Sequence, residues 1–575
     1  MTLREPQGKQ PDALREPQGT QPQGAHLDAA RAWIAQDPDA TTVAELEALV
    51  SAVEDGVESA LADLADRFSA RLEFGTAGLR GAIGAGPNRM NRVLVSQAAA
   101  GFAAYLLERG ESPSVVIGYD GRTNSRVFAE DTAEIMQGAG VRAILLPRLL
   151  PTPVLAFAVR HLDVSAGVMV TASHNPAADN GYKVYLGGFD EGSQIVSPAD
   201  AEIAAQISRV ASESSVLDLA RATDYAIAPE SVVAEYVRQT ASIVPDGLEP
   251  LSVVYTAMHG VGWETASAVF AAAGFDNIVP VEEQREPDAA FPTVAFPNPE
   301  EPGALDLSLA LAATVGADIV VANDPDADRL AIAVPGVDGT WHRLSGNTVG
   351  MLLGWRAAAR LEANDEDGTL AASIVSSPAL KEIARKYNHD FAETLTGFKW
   401  VSRVGGLAYG YEEALGYLVD PAKIRDKDGI SAAVDFLSLA AELKADGSSV
   451  AEHELAFAEK FGAYASSQIS LRVADLAEIP ALMKRLRSSP PAEIGGIRVE
   501  SIDDFAEGWG DFPAGDILRY WLQGKGRVIV RPSGTEPKLK VYIDASSTTG
   551  SGAERVAAAQ AAVDTLDAAM RELLR

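Results

Sequence analysis

The chain has 575 residues and a formal net charge of −32, because 80 acidic side chains outnumber 48 basic ones. A surface this acidic repels nucleic acids and anionic membranes, and the length suggests roughly three to five domains. The absence of cysteine excludes disulfides, thiolate metal sites and a Cys nucleophile. No apolar run approaches the ~20 residues that span a bilayer, and the N-terminus has no apolar core typical of a signal peptide. We therefore expect a cytoplasmic protein whose partners include neither nucleic acid nor membrane.

The N-terminal segment differs in composition from the rest of the chain. Residues 1–26 are rich in Pro, Gln and Gly, and the motif LREPQG occurs at both 3–8 and 14–19. Such a segment has too little apolar surface to offset the entropy of ordering, so we predict a disordered tail. Helical periodicity begins near Leu27 and continues, with breaks, to about Leu72. The folded part of the chain is therefore expected to begin with helices.

Beyond these helices, short Val- and Ile-rich strands alternate with Ala-rich helices. A helix is predicted over 125–138, and strands are predicted over 114–120, 141–146, 251–255, 317–322 and 526–531. Such alternation is typical of α/β domains with mixed or parallel sheets, in which ligands bind beyond the carboxyl ends of the strands. Breaks rich in Gly, Pro or charge predict domain boundaries near 225–230, 335–340 and 458–465.

The first unusual loop follows an apolar strand, in the sequence VMVTASHNPAADNGYKVY at 168–185. Ser173 stands at the end of that strand, beside His174 and shortly before Pro176, so its hydroxyl is placed to face a cleft. The alternative is a turn in which Ser, His and Asn satisfy their own backbone, and this loop alone does not decide between the two. The pattern is not the G-x-S-x-G elbow of hydrolases.

The second loop carries three carboxylates. The sequence IVVANDPDADRLAI at 319–332 places Asp324, Asp326 and Asp328 at alternate positions between two apolar strands. Crowded carboxylates repel one another, and a hard divalent cation such as Mg²⁺ relieves that repulsion. An EF-hand is excluded, because its sixth position would be Arg329 instead of Gly. A solvated acidic turn is disfavoured by the apolar strands on both sides.

The third loop lies between two strands near the C-terminus, in the sequence RVIVRPSGTEPKLKVYID at 527–544. Its guanidinium, hydroxyl and exposed backbone N–H groups suit a phosphate, and Lys538 adds charge. A plain polar hairpin turn is the alternative. The candidate phosphate ligands are Arg531, Ser533, Gly534, Thr535 and Lys540.

Four further segments offer side chains for the same kind of ligand. FGTAGLRG contains Thr76 and Arg80 in a Gly-rich turn, and TGFKW contains Lys399. RDKDGI contains Lys427 just before a predicted helix, where it could also be a helix-start charge with no partner. AYGYEEALGY contains Glu412, whose carboxylate can accept hydrogen bonds from two sugar hydroxyls.

Together these loops resemble those of one family, the α-D-phosphohexomutases, whose members include phosphoglucomutase and phosphomannomutase. TASHNP, DPDADR, a Gly-Glu-type sugar loop and a C-terminal R-x-S-G-T loop occur here in the family's order, over about residues 70 to 575. Four loops in register are far more specific than any one of them. The forms FGTAGLRG, TAMHGVG, TGFKW and DKDGI are most similar to the branch with phosphoglucomutase-2-type and phosphopentomutase-active enzymes.

The resemblance implies an α/β fold in which three related α/β domains and a smaller C-terminal α+β domain surround a deep central cleft. It also implies a division of the chain after the disordered tail at 1–26. The expected parts are a phosphoserine domain at 27–225, a metal-binding domain at 226–340, a sugar-recognition domain at 341–460 and a phosphate-binding domain at 461–575.

The resemblance further implies roles for the candidate residues. Ser173 would carry a phosphoryl group, and one Mg²⁺ would bridge it to Asp324, Asp326 and Asp328. Groups that bind or move protons near the phosphoserine would be Arg80, His174, Lys183 and Lys427, with Arg329 also facing the site. The base for the attacking hydroxyl would be Lys427 or His174, with Arg80 as a third candidate. The remaining substrate contacts would be Thr76, Thr396, Gly397, Lys399, Glu412, Arg531, Ser533, Gly534, Thr535 and Lys540.

The expected reaction is reversible phosphoryl transfer within one sugar phosphate through a sugar bisphosphate, and glucose-1,6-bisphosphate or a similar compound would act as activator. Glucose phosphates are the first expectation and mannose phosphates the second, with a pentose phosphate as the alternative. Ala414 stands where many members have Ser, and Gly416 and Tyr417 stand where some have His. These departures bear on which sugar is bound more than on catalysis.

Two other functions are compatible with parts of the pattern. A non-catalytic relative that binds sugar phosphates would have lost Ser173 or an aspartate, and both are present. A phosphatase with an aspartate nucleophile could use the D-x-D at 326–328, but it would have no use for Ser173. We expect an enzyme acting on a small sugar phosphate, as a monomer or a dimer.

Overall fold

Three helices open the part of the chain that the structure describes. The structure is a computed structural model and describes residues 23–75, 78–245, 247–473, 475, 477–533 and 538–575. The helices α1 (Gln23–Ile34), α2 (Ala40–Glu54) and α3 (Glu58–Phe68) pack around Leu46 and Leu64. Because α1 begins at Gln23, the last four residues of the predicted tail at 1–26 are helical. His26 is buried one turn before Ala30, so the apolar face of α1 begins earlier than expected.

The first sheet has seven strands in the order β1-β5-β4-β2-β3-β7, with β6 paired to β5. β5 runs against β1, β4 and β6, and the other pairs are parallel. The predicted strands at 114–120 and 141–146 and the predicted helix at 125–138 are confirmed. In chain order the elements are β1 (Leu79–Ala82), α4 (Arg92–Leu107), β2 (Ser114–Tyr119), α5 (Ser125–Ala139), β3 (Arg142–Leu145), α6 (Thr152–His161), β4 (Ala166–Val170), β5 (Asp179–Leu186), β6 (Ser193–Gln194), α7 (Ala199–Glu213) and β7 (Ala226–Ile227).

The second sheet has five strands in the order β12-β11-β10-β8-β9. β10 is parallel to β8 and antiparallel to β11, and Asn323 pairs with Leu330, so residues 324–329 form the tight connection between two buried strands. The elements are α8 (Ser231–Ala241), β8 (Val253–Thr256), α9 (Gly262–Ala272), β9 (Ile278–Pro280), α10 (Asp306–Val315), β10 (Ile319–Asn323), β11 (Leu330–Pro335) and β12 (Trp341–Arg343).

The third sheet has four strands in the order β14-β13-β15-β16, of which only the pair β15–β16 is antiparallel. Its elements are α11 (Gly346–Asn364), β13 (Thr369–Ser373), α12 (Ala379–Tyr387), β14 (Asp390–Thr394), α13 (Phe398–Val401), β15 (Leu407–Glu412), β16 (Gly416–Leu418), α14 (Gly429–Ala445) and α15 (Val450–Phe461). One apolar core runs through the first three sheets and includes Val116, Val253 and Leu370. These three sheets therefore form a shared support for the loops between them.

The fourth sheet is antiparallel throughout, in the order β17-β22-β21-β20-β19-β18. It has its own apolar core, and a small cluster that includes Val375 and Tyr542 joins it to the third sheet. Its elements are β17 (Ala463–Arg472), α16 (Glu478–Ser488), β18 (Glu493–Ile494), β19 (Ile497–Asp504), β20 (Leu518–Leu522), β21 (Gly526–Pro532), β22 (Lys538–Ser547) and α17 (Gly552–Leu573).

The predicted architecture of three α/β domains and a C-terminal α+β domain is confirmed, but two proposed boundaries need correction. The boundaries before 226 and 341 assigned β7 and β12 to the following domains, whereas both strands pair with the preceding sheet. Both segments look like linkers in sequence because each strand has only two or three residues. Within the described residues, no helix is both long enough and apolar enough to cross a membrane.

Candidate active site at the junction of the domains

Ser173 is held in an unusual backbone conformation directly after β4. Its φ is +52°, which for a residue other than glycine costs of order 1–3 kcal/mol and recurs at functional sites. Its N–H donates to Thr171 Oγ1 at 2.9 Å, and its side chain is buried. Ser173 Oγ donates to Asp324 Oδ2 at 2.8 Å and lies 3.2 Å from His174 Nδ1. The turn therefore points the hydroxyl away from its own backbone and toward the second domain.

The three predicted aspartates form one cluster in the β10–β11 connection. Their ligand atoms lie within 4.8 Å of one another, and Asp324, Asp326 and Asp328 are all fully buried. Asp326 Oδ1 and Asp328 Oδ1 have no hydrogen-bond partner, and an unpaired buried carboxylate oxygen is costly. Carboxylate oxygens are the ligands that Mg²⁺ prefers. The cluster therefore fits a hard divalent metal ion, and it is the one such group found in the described part of the chain.

Two ammonium groups from other parts of the chain reach this cluster. Lys183, on β5, donates to Asp326 Oδ2 and to Asp328 Oδ2 at 2.7 Å each, and Lys427 Nζ lies 2.9 Å from Asp328 Oδ2. Burial raises the pKa of both carboxyls, but Lys183 outweighs it together with Thr152 at Asp326 and with Lys427 and Arg329 at Asp328, so both pKa values are lowered. Burial and the two neighbouring carboxylates raise the pKa of Asp324. Asp324, the partner of Ser173, is thus the carboxyl of the three whose charged form is disfavoured in its surroundings.

Three more predicted side chains surround the serine. Arg80 donates to Asn175 Oδ1 at 3.3 Å, and Arg329 Nε lies 3.9 Å from Asp324 and from Asp328. Burial, followed by the positive charges of Arg329 and Arg80, lowers the pKa of His174 well below its usual value. His174 is therefore a neutral imidazole at neutral pH, next to the Ser173 hydroxyl.

The predicted sugar loop lies across from this cluster, at the end of β15. Glu412 Oε1 accepts a hydrogen bond from Gly397 N at 2.7 Å, and burial, followed by the charge of Glu413, raises the pKa of Glu412 to about 7. Burial lowers the pKa of Lys399 to about 8. Arg329 connects the two regions, since it donates to Ala414 O at 3.1 Å. The carboxylate cluster and the sugar loop thus face one cleft.

The fourth domain contributes the predicted phosphate loop between β21 and β22. The Arg531 guanidinium, on β21, donates to the Thr396 hydroxyl of the third domain, so the end of this strand is joined to the third domain. Ser533 follows β21, and Lys540 lies on β22. The predictions for Thr76, Gly534 and Thr535 fall outside the described residues.

Sequence reasoning missed the groups that aim Lys427. Asp426 accepts a hydrogen bond from Tyr185 at 2.9 Å, and Asp428 accepts one from Tyr236 at 2.9 Å. Both tyrosines come from elements far away in sequence. The two aspartates on either side of Lys427 were a visible signal in the motif RDKDGI, because a buried carboxylate needs a partner. The residues before and after Lys427 are therefore anchored, and Lys427, paired with Asp328, is not a solvated helix-start charge.

Other residues near the site were also missed. Thr152, at the start of α6, donates to Asp326 Oδ2 at 2.6 Å. The Phe296 ring meets the His174 ring edge-on with 6.2 Å between centroids, and Glu300, four residues later, interacts electrostatically with Arg329 and with Lys540. Phe296 and Glu300 do not belong to a loop with an unusual motif, so only their position in space shows that they lie beside the site.

A buried serine hydroxyl against a metal-fitting carboxylate cluster, opposite an arginine-bearing loop, is typical of an enzyme that transfers phosphoryl groups. Successive parts of the chain match four models described as phosphoglucomutase/phosphomannomutase alpha/beta/alpha domains I, II and III and C-terminal domain. The matched residues are 71–214, 234–337, 345–457 and 470–563. The chain belongs to the phosphoglucomutase/phosphomannomutase family, and it is a phosphosugar mutase, an isomerase.

Individual relatives agree on the reaction class and differ in the sugar. A Haemophilus influenzae protein described as a probable phosphomannomutase is 54% identical over 84% of this chain and 98% of its own length. Human phosphopentomutase is 35% identical over 92% of this chain and 93% of its own length. A solved structure of a phosphoglucomutase/phosphomannomutase family protein from Burkholderia thailandensis has a TM-score of 0.67 at 21% identity, over 88% of this chain and 97% of that one. The last comparison shows that the fold is shared.

Proposed function

We propose that the protein interconverts hexose 1-phosphates and hexose 6-phosphates, that it accepts both glucose and mannose, and that Ser173 carries the phosphoryl group. The observation that carries this proposal is the 2.8 Å contact between Ser173 Oγ and Asp324 Oδ2. A serine held against a buried carboxylate cluster can receive a phosphoryl group where water is excluded and charge can be neutralised. The Haemophilus influenzae relative supports mannose as a substrate.

The proposed cycle consists of two transfers. In the first, the bond between phosphorus and Ser173 Oγ breaks while a bond forms from phosphorus to the free hydroxyl of the sugar phosphate. The hydroxyl proton passes to a base, Ser173 Oγ receives a proton, and the product is a sugar bisphosphate. In the second transfer, the other phosphoryl group of the bisphosphate moves to Ser173, and the protons move in the opposite direction. The enzyme thus regains its phosphoserine, and a sugar bisphosphate such as glucose-1,6-bisphosphate would prime an unphosphorylated chain.

The residues around Ser173 would have different roles in the transfer. When bound by Asp324, Asp326 and Asp328, Mg²⁺ would neutralise charge on the phosphoryl group in flight. Lys183 fixes the orientation of two of these carboxylates. His174 is neutral and 3.2 Å from Ser173 Oγ, so it suits the exchange of the serine proton.

The proton of the attacking sugar hydroxyl would be taken by Lys427 in its neutral amine form, with Arg80 as the second candidate. Lys427 extends into the cleft from the third domain and lies at the same carboxylate, Asp328, as Lys183. A general base must come within hydrogen-bond reach of the hydroxyl it deprotonates. Lys427 belongs to the same domain as Glu412 and reaches the carboxylate cluster, so it is placed to meet this requirement.

The other end of the cleft would hold the sugar and its second phosphate. Arg531, Ser533 and Lys540 would bind the phosphate that is not reacting, with Gly534 and Thr535 in the same loop, and the carboxylate of Glu412 would accept bonds from sugar hydroxyls. Thr76, Thr396, Gly397, Lys399 and Arg329 complete the proposed substrate contacts. A site for each phosphate allows the bisphosphate to reorient without leaving.

A panel of sugar phosphates tests the proposal. The purified chain, with Mg²⁺ and a catalytic amount of sugar bisphosphate, is given glucose-1-, mannose-1-, glucosamine-1- and ribose-1-phosphate in turn, and products are followed by phosphorus NMR. We expect glucose and mannose 6-phosphates to form and inorganic phosphate to be absent. Release of phosphate as the main product would indicate a phosphatase, and binding without turnover would indicate a non-catalytic relative.

A second candidate function is phosphopentomutase activity. Ala414 offers no hydroxyl to the sugar, and a human relative named phosphopentomutase aligns with 92% of this chain. A ribose-1-phosphate kcat/KM above that for both hexose phosphates would establish it. A cytoplasmic location also stays a prediction, supported by the lack of cysteine, and a monomeric or dimeric state stays a prediction as well.

A further inference from the structure

One buried arginine contacts most of the loop that carries Ser173. The Arg122 guanidinium donates four hydrogen bonds, all to backbone carbonyls. Nη2 donates to Ser173 O at 2.5 Å and to Asn175 O at 2.6 Å, and Nη1 donates to Pro176 O at 2.8 Å and to Asp179 O at 3.1 Å. A single side chain thus spans the loop from its reactive residue to the first residue of β5.

The surroundings of Arg122 support this arrangement. Its side chain is 1% exposed and Nε lies 3.4 Å from Asp120 Oδ2, so a partner charge balances the buried cation. Phe291 of the second domain lies over the guanidinium with 5.0 Å between the ring centroid and Cζ. At Gly121 a Cβ would come within 2.9 Å of Pro287 Cβ, so the turn is pressed against that domain. The arginine therefore sits between the serine loop and the domain with the carboxylate cluster.

Both Nη atoms of Arg122 donate to backbone carbonyls of the 173–179 loop, so the donors at the end of the guanidinium are used on that loop. A lysine would place one compact ammonium where the planar guanidinium offers a fork of donors. Bonds from a charged donor are stronger than neutral ones. The geometry is therefore specific for arginine.

We propose that Arg122 is a positioning residue for phosphoryl transfer, which holds the 173–179 loop in the arrangement where Ser173 Oγ reaches Asp324. This inference rests on the proposed function, in which Ser173 gains and loses a phosphoryl group twice in each cycle. The loop must return to the same position each time, although the charge on it changes by about two units. Hydrogen bonds from the buried Arg122 to the loop carbonyls would hold the loop in one position whether Ser173 is phosphorylated or not.

The test uses the full chain with Arg122→Lys and Arg122→Ala, beside wild type and Ser173→Ala. Arg555 supplies the matched control, because it also donates to three backbone carbonyls, those of Ala458, Glu459 and Gly550, but lies on α17. Phosphoserine content is measured by intact mass, and kcat and KM are measured on glucose-1-phosphate. A displacement of about 1 Å can lower a rate by about 100-fold. We expect such a loss of kcat in Arg122→Lys with KM nearly unchanged, and no loss in Arg555→Lys.

Chemical rescue separates positioning from general stability. Guanidinium ion at millimolar concentration should restore part of the kcat of Arg122→Ala, whereas equal ammonium should not, because only the guanidinium has the planar fork. Thermal melting gives the folded fraction of each variant, and if Arg122→Ala does not fold, the Arg122→Lys result decides. Wild-type kcat in Arg122→Lys, a loss that only follows the folded fraction, or a loss shared by Arg555→Lys would each overturn the inference. An active Ser173→Ala would instead overturn the proposed function.

Discussion

The two ends of the cleft are built differently. At the serine end, Ser173, Asp326 and Asp328 are each held by direct bonds from other elements, with distances of 2.7–2.8 Å to Asp324 and Lys183. At the sugar end, Glu412 accepts one bond from a backbone N–H, and its pKa is raised to about 7 chiefly by burial. The serine end is thus held by several direct bonds before any substrate arrives and keeps two carboxylate oxygens for a metal ion, while the sugar end keeps a carboxyl group with capacity for a ligand.

This difference follows from what each end must do. Phosphoryl transfer depends on fixed charges and in-line geometry, which are best set in advance. In the proposed cycle, sugar recognition must fit a bisphosphate in two orientations, and a carboxyl group with few fixed partners can accept bonds from either face. We therefore expect changes at the serine end to reduce kcat strongly and changes at the sugar end to alter KM and selectivity moderately.

The largest effect is expected from Ser173→Ala. Loss of the nucleophile in other covalent mechanisms costs on the order of 10⁶-fold in kcat, so we expect turnover to fall by at least about 10⁴-fold. Intact-mass measurement should show a phosphate-sized adduct on the wild type and none on the variant. If Ser173→Ala kept turnover within about tenfold of the wild type, the phosphoryl group would be transferred without this serine.

Asp326→Asn should have the next largest effect, because it removes one charge and one orphan oxygen from the metal-fitting cluster. Metal stabilisation of a transition state amounts to several kcal/mol, so kcat should fall by about 100- to 1,000-fold. Mg²⁺ at 100 times its Kd should stabilise the wild type by about 2.7 kcal/mol, and this rise in Tm should shrink in the variant.

The matched control for that experiment is Asp338→Asn, since Asp338 is an aspartate in the exposed β11–β12 turn. It should retain both the Mg²⁺-dependent rise in Tm and the turnover. Chelation by EDTA should abolish wild-type activity, and Mg²⁺ should restore it. Unaltered turnover in EDTA would contradict the metal assignment.

A smaller effect is expected from pH at the sugar end. Because the pKa of Glu412 is raised to about 7, its carboxylate should be lost as pH falls from 8 to 6. Bonds to a charged group are worth about 1.5–3 kcal/mol, so KM should rise by up to about tenfold over that range while kcat changes less. Glu412→Gln should have a high KM at every pH.

Glu454 is a matched control for this experiment, because burial also raises its pKa to about 7, yet it lies on α15. Glu454→Gln should leave the KM profile unchanged. In the folded chain the pKa of Glu412 lies above the usual glutamate value of 4.5, so folding favours the protonated carboxyl. The stabilisation that this gives the folded state is complete below about pH 4.5 and is lost as pH rises through about 7. Glu412→Gln should flatten that slope, and a KM that is independent of pH in the wild type would refute the role of this carboxyl.

The smallest effect is expected from Ala414→Ser, which adds one hydroxyl to the sugar loop. A single hydrogen bond of about 0.5–1.5 kcal/mol changes selectivity by about 2- to 13-fold, and the direction should favour hexose phosphates over pentose phosphates. The measurement is the ratio of kcat/KM values for glucose-1- and ribose-1-phosphate. An unchanged ratio, or a wild-type preference of several orders of magnitude for one sugar, would show that discrimination lies elsewhere.

Much of the serine end could be predicted from local patterns. Asp324, Asp326 and Asp328 share one short turn, so their spacing alone indicated a cation site, and Ser173 stood out at a strand end. The sugar end was less accessible, since Glu412 lies in a loop that has no unusual composition. Glu300 and Phe296 had no motif at all, because their relevance depends on which loops pack beside them.

The sequence by itself determined the candidate serine, the carboxylate cluster and the α/β alternation, because these depend on residues within a few positions of one another. Only the tertiary structure decided which cations serve them. Lys183 lies 145 residues before Asp328, and Arg122 lies 51 residues before Ser173. Contacts over such separations are set by strand order and domain packing, since the spacing of motifs along the sequence does not show which loops lie next to each other. The serine and the aspartates are therefore set by local sequence, whereas the cations that balance their charge are brought to them by the packing of the assembled sheets.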